Sequence, residues 1–230
     1  LQDKYESRKL KAFAAVDNSM KRAALGFRVH SGWTALVAVT VEKGSPCVLA
    51  RARPHLVETF TYEFRQPFHT AEKMPFDKGS EFISRVRKEE RNLAYRSIHE
   101  IQSDLQKQGY ELQRAGLLLP SGRTLPALEK ILASHALIHT ADGELSREAL
   151  LHAGARCGLA MICIKEKELL DRATQIFRLK PDTLLRRVTE LGRPHGSPWS
   201  QDEKFATLAA WLALGSPSKR TAQTRLRIPE

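Results

Sequence analysis

His135 and His139, four residues apart, stand directly before Asp142, Glu144 and Arg147 in segment 134–148, the stretch richest in groups that bind metal ions or carry protons. Imidazole and carboxylate ligands together suit Zn²⁺ or Mn²⁺. His139, Asp142 and Glu144 therefore form a candidate catalytic set, with Arg147 placed to hold an anionic group. If 135–139 is extended, side chains an even number of residues apart share one face, so both histidines could converge on one site. A plainer reading is structural. Thr140 or Asp142 caps a helix, Glu144 and Arg147 pair as i, i+3 neighbours, and the histidines make local hydrogen bonds. No H-E-x-x-H motif is present, and both readings stay open on sequence alone.

A second constellation is Arg28, His30 and Ser31. Arg28 and His30 are two apart, so on a strand they point to the same side. A guanidinium offers a planar fork of donors suited to phosphate or carboxylate, and an imidazole can add a donor or shuttle a proton. The plain alternative is an ordinary polar strand edge. Arg186 and Arg187 lead a third, basic stretch, 172–195, on a helix whose apolar side is Leu184, Leu185, Val188 and Leu191. Trp199 beyond it could stack on a base. A solvated helix face is again the plainer account. Walker, Rossmann and Gly-x-Ser-x-Gly motifs are absent, and no nucleophile-activating pattern surrounds Cys47, Cys157 or Cys163.

Composition sets the class. With 230 residues, 42% hydrophobic and 27% charged, the chain can bury a substantial core and reads as globular. No uncharged apolar run approaches the roughly 18 residues that a membrane span needs, so no membrane partner is expected. The start lacks the apolar core of a secretory signal, and an odd cysteine count without C-x-x-C favours reduced thiols. A cytoplasmic protein is the expectation. The net charge is +11, of which residues 1–24 and 215–230 each supply +3, leaving +5 between them. Basic tails bind polyanions by counterion release, so nucleic acid or another phosphate-bearing ligand is the expected partner class.

The elements that must position these groups follow from periodicity. Residues 1–24 read as a basic tail or loosely docked helix, 25–214 as one α/β domain, and 215–230 as a flexible basic tail. Alternation predicts strands at 25–30, 33–41, 47–53 and 57–64, an antiparallel meander. Residues 65–79 read as a loop. A long amphipathic helix is expected over 80–108, a strand at 113–119, a helix at 124–133 capped by Thr124, and a short apolar strand at 135–139. Helices at 144–156, 166–177 and 181–192 surround a buried strand at 159–164. Ser200 and Glu203 have the spacing of a capping box at the start of the final helix.

A β-meander, then helix, strand, helix, strand, helix, with Ser31-Gly32 turning the first strand and an Ala-rich last helix, resembles the ribonuclease-H-like superfamily. The resemblance implies a three-layer α/β fold with a mixed sheet flanked by helices. Its nucleases place carboxylates on the first strand, near the fourth strand and around the last helix, where they hold divalent ions. Here the first strand offers Arg28 and His30, and the fourth ends in Leu117-Leu118-Leu119-Pro120; only Asp202 and Glu203 fall where an acidic ligand belongs. The leading expectation is thus a domain of this fold without the standard two-metal site, contacting nucleic acid through Arg28, His30, Arg186 and Arg187. The competing one is a metal-dependent phosphoester hydrolase built from His30, His139, Asp142 and Glu144, with or without Asp202, and a third is a structural or protein-interaction module.

Overall fold

The computed structural model describes residues 20–120 and 124–215. The expectations for most of the N-terminal tail and nearly all of the C-terminal tail lie outside the described residues. The chain runs β1 (Lys21–His30), β2 (Trp33–Glu42), β3 (Ser45–Ala52), α1 (Tyr62–Arg65), α2 (Pro67–Ala71), α3 (Phe76–Lys107) and β4 (Tyr110–Leu119). It continues through α4 (Leu128–Leu132), α5 (His135–Arg156), β5 (Ala160–Lys165), α6 (Leu169–Phe177), α7 (Pro181–Leu191) and α8 (Gln201–Gly215). All five strands share one sheet in the order β3-β2-β1-β4-β5. β1, β2 and β3 are antiparallel neighbours, while β1, β4 and β5 are parallel.

The alternating strand pattern decides which residues face which layer. Leu25, Phe27 and Val29 of β1 join Leu117 and Leu119 of β4 in a core with Ala94, Ile98 and Leu105 of α3 and Ala149, Leu150 and Ala153 of α5. The opposite face carries Val37, Val39, Leu118 and Ile164 against α6, α7 and α8. There α8 lies almost on the sheet backbone. A Cβ on Gly26 would fall 1.8 Å from the Ala206 carbonyl oxygen, and one on Gly116 would fall 2.3 Å from that of Ala209. Glycine on the strands and alanine on the helix permit this approach. A third cluster, including Val57, Phe68, Ile83, Val86, Ile131, Ile138 and Leu145, ties α2, the first turns of α3, α4 and the start of α5 together.

Several expectations are corrected. β1 begins at Lys21, so residues 21–24 belong to the sheet and not to a tail; Lys21 pairs with Glu42 at 2.8 Å. Residues 57–64 form no strand. Pro54 has no N–H to extend the ladder, and after a Trp33–His55 bridge the chain bends into α1. The predicted loop at 65–79 contains α2 and the first turn of α3, which over 32 residues runs about 48 Å. The helix expected over 124–133 shrinks to α4, because Leu125 precedes Pro126 and is barred from helical backbone while its side chain is buried. Residues 135–139 are the first turn of α5 and not a strand. Ile138, Ala141 and Leu145 recur at helical spacing and bury together, and Gly143 is carried inside the helix. Among the described residues, no helix is long and apolar enough to cross a membrane.

Candidate functional site

Arg28 and His30 share the face of β1 that also bears Gly26, the face on which α8 lies. Both side chains therefore reach the first turn of α8, and the result is a closed ionic network. The Arg28 guanidinium donates through Nη1 to Asp202 Oδ1 at 2.5 Å, and through Nε and Nη2 to the two carboxylate oxygens of Glu166 at 3.1 and 2.7 Å. Glu166 stands directly after β5. His30 Nε2 meets the same Asp202 oxygen at 2.9 Å, and its ring stacks on Trp33 at 4.3 Å. Arg53, just past β3, donates to Glu203 at 2.5 Å and to the Ser200 hydroxyl at 3.0 Å.

The expected capping box forms. Ser200 N–H donates to Glu203 at 2.8 Å, and Asp202 N–H donates to the Ser200 hydroxyl at 3.1 Å. Burial opposes ionisation of Glu203, yet Arg53 and both donors of Ser200 outweigh it and hold the carboxyl at about 2. Asp202 is likewise pushed up by burial but held below its ordinary value by His30 and Arg28. Hydrogen bonding to Glu166 first, then to Asp202, raises Arg28 above its ordinary value, with burial opposing.

The remaining sequence candidates distribute differently. Ser31 opens the β1–β2 turn, where the Gly32 N–H donates to Ser146 Oγ of α5 at 2.9 Å. Glu144 and Arg147 form the i, i+3 pair of the structural reading, at 3.1 Å and largely buried. Burial pushes Glu144 up, with Arg147 opposing, and pushes Arg147 down, with Glu144 and Glu166 opposing. Arg186 and Arg187 sit on α7, one exposed and one half-buried, and neither enters the Arg28 network. Trp199 is no stacking platform: its indole N–H donates to the Val188 carbonyl at 3.0 Å, and its ring lies against Gly192.

The quartet His30, His139, Asp142 and Glu144 does not converge. His30 is committed to Asp202 and Glu144 to Arg147, and on one helix Asp142 and Glu144, two residues apart, point away from each other. What gathers instead is His69, His135 and His139, each offering a ligand nitrogen within 4.8 Å of the others. Asp142 stands behind them, accepting the Phe68 N–H at 2.8 Å and meeting His69 Nδ1 at 2.5 Å. Burial raises Asp142 to about 6, although Phe68 and His69 oppose it.

Sequence reasoning missed His69, Glu166 and Arg53. His69 lies in a segment read as loop, with no fixed spacing to 135–142. Glu166 had one available signal, its place immediately after a buried strand, where a carboxylate must find a partner.

Grooves also run along the outer face of α3. One is lined by Ser84, Arg87, Lys88, Arg91, Asn92 and His152, and its neighbour shares Lys88 and Asn92 and adds Arg85 and Arg96 together with Glu58, Glu89 and Leu93. Arg91 is held by Glu148 at 2.6 Å.

No protein-family model and no curated protein matches the chain. Among solved structures it is similar to T. thermophilus RuvC in complex with Holliday junction substrate, at 10% identity and a TM-score of 0.50, covering 84% of this chain and 93% of that one. It is also similar to a second Thermus thermophilus RuvC structure, at 11% identity and a TM-score of 0.49, with the same coverage. At such identity the likeness concerns the fold. The chain has a ribonuclease-H-like fold, with a mixed five-stranded sheet flanked by helices.

Proposed function

We propose that this domain binds nucleic acid without cutting it by the two-metal route of ribonuclease-H-like nucleases. One observation carries this reading: the Arg28 guanidinium lies between Glu166 and Asp202 at the end of β1. That route needs carboxylates converging on divalent ions. Here two carboxylates converge on an internal cation, and the first strand contributes Arg28 and His30 where an acidic ligand would stand. The residues present do not fit a two-ion centre. Glu203, the remaining acid of this end, is committed to Arg53 and the helix cap.

Contacts with the polyanion come from elsewhere. Arg28 and His30, expected from the sequence to touch the ligand, spend their donors internally. The grooves along α3 are the better surface. Lys88 and Arg96 are exposed there, and the edge of a long helix can follow a phosphate backbone over several residues. Arg186 and Arg187 on α7 form a second basic face. The similar RuvC structure is a complex with Holliday junction substrate, which makes branched DNA the first probe.

The test is fluorescence anisotropy with a four-way junction and a linear duplex, at about 50 and about 200 mM salt. Neutralising four phosphates predicts roughly a 100-fold loss of affinity over that range. Lys88→Ala with Arg96→Ala is expected to flatten the salt slope by about two contacts. A salt-insensitive affinity would overturn the binding reading. Cleavage in Mg²⁺ or Mn²⁺ that disappears in Asp202→Asn would overturn the non-catalytic one.

A further inference from the structure

The histidine cluster lies apart from the end of β1. His139 and Ser146, which touches the β1–β2 turn, are seven residues apart on α5, roughly 10 Å along the axis. On that helix His135, His139 and Asp142 occupy positions i, i+4 and i+7, a single stripe, and His69 of α2 faces it. We propose that His69, His135 and His139 form a Zn²⁺ site with water as the fourth ligand, and that Asp142 is its positioning residue.

Four observations support this. Ligand nitrogens at 2.0–2.1 Å from a tetrahedral Zn²⁺ stand about 3.3 Å apart. The Nε2 atoms of His135 and His139 are already 3.1 Å apart, and all three histidines place a nitrogen within 4.8 Å of the others. Second, Asp142 takes Nδ1 of His69, which leaves the Nε2 lone pair as the nitrogen available for an ion. A carboxylate on the far nitrogen is the usual way a metal-binding imidazole is fixed in tautomer and orientation. Third, Asp142 is 2% exposed, and its two oxygens are spent on Phe68 N–H and His69, both on α2. A buried carboxylate is costly, and the partners of this one hold α2 and turn its histidine. Fourth, the rings pack edge to face, His69 to His139 at 4.4 Å and His135 to His139 at 4.5 Å, and among the described residues no carboxylate pairs with His135 or His139.

The chemistry of the donors selects the ion. Three neutral imidazoles suit Zn²⁺ better than Mg²⁺ or Mn²⁺, which prefer oxygen. His69 is buried while His135 and His139 are exposed, so an ion bound here keeps one side toward solvent. Three protein ligands and an open position make the coordination of water-activating zinc sites, distinct from the closed four-ligand structural kind.

The experiment uses the full chain, purified without metal-affinity resin or chelator. Zinc is measured by elemental analysis, and affinity by competition with a chromophoric chelator. One Zn²⁺ per chain is expected. His135→Ala and His139→Ala, both at exposed positions that leave the fold intact by circular dichroism, should each weaken binding at least 100-fold. Asp142→Asn should weaken it 10–100-fold. Its side-chain oxygen can still accept from Phe68, but its amide N–H₂ faces His69 Nδ1 and shifts the ring proton to Nε2. The stability of the metal-free variant, measured beside it, separates that effect from loss of the α2 contact. Co²⁺ substitution should give intense tetrahedral visible bands that change on adding azide, reporting the open position. Zinc well below one per chain, unchanged affinity in both exposed-histidine variants, or a weak six-coordinate Co²⁺ spectrum would each overturn the site. None of these readouts depends on nucleic-acid binding.

Discussion

Two polar regions of this molecule use the same kinds of side chain to opposite ends. At the end of β1, Arg28, His30 and Arg53 meet Glu166, Asp202 and Glu203, and each carboxylate has a cation or a helix-capping donor. At the α2–α5 contact, His69, His135 and His139 turn toward one another, with Asp142 behind the buried His69. The first region is closed by its own charges. The second turns two exposed imidazoles toward each other, Nε2 to Nε2 at 3.1 Å, with no opposite charge on them among the described residues. A cluster of titratable residues thus indicates a ligand only where internal partners fail to satisfy it; where they succeed, the same residues are scaffold.

This contrast has measurable consequences. The largest concerns acid. The Glu203 carboxyl is depressed to about 2 from an ordinary 4.5, so its contribution is present above pH 4.5 and is lost as pH falls through 2. That amounts to about 2–3 kcal/mol. Chemical denaturation between pH 5 and pH 2 should show the loss, and Glu203→Gln should remove most of that slope. An unchanged slope in the variant would contradict the closed network.

Next in size is Arg28→Ala, which strands Glu166 and Asp202 beside each other. Removing one partner from a buried pair costs about 3–5 kcal/mol, and because the Arg28 side chain is 20% exposed, about 2 kcal/mol is expected in urea denaturation at pH 7. A third experiment sharpens the point. With the guanidinium gone, two acids share a site, so millimolar Mg²⁺ should restore about 1 kcal/mol to Arg28→Ala and leave the wild type unmoved. Equal responses would mean that Arg28 does not fill a cation position.

The smallest effect is expected in the open region. His135→Ala in metal-free protein should change stability by less than about 0.5 kcal/mol, as exposed positions do. A loss comparable to that of Arg28→Ala would make the histidine cluster another piece of scaffold.

Much of the fold was legible in the chain. The alternation at 25–30 and the helical spacing in 80–108 each have one physical solution, a half-buried strand and an amphipathic helix, and both are present. So does the Ser200–Glu203 box, whose partners are local. Failures came where distant packing overrides local pattern. His135 and His139 share a face on a strand or on a helix, so their convergence was readable while their secondary structure was not. Glu90 sits fully buried on α3, where burial pushes its carboxyl well above the ordinary range with the Ser146 hydroxyl opposing. Nothing in its neighbours along the chain announces that.

By itself the sequence determined the five strands of the sheet, the long helix α3, the facing of Arg28 and His30, the cap of α8 and the shared face of His135 and His139. These depend on the 2.0 and 3.6 periodicities and on contacts within a few residues. Only the tertiary structure decided that Arg28 would be neutralised by Glu166 and Asp202, at sequence separations of 138 and 174, and that His69 would complete a triad with α5. Such pairings follow from which helix the glycines of β1 and β4 allow against the sheet, and from how the α2–α5 core closes. Both are packing outcomes of the whole chain, and no local spacing encodes them.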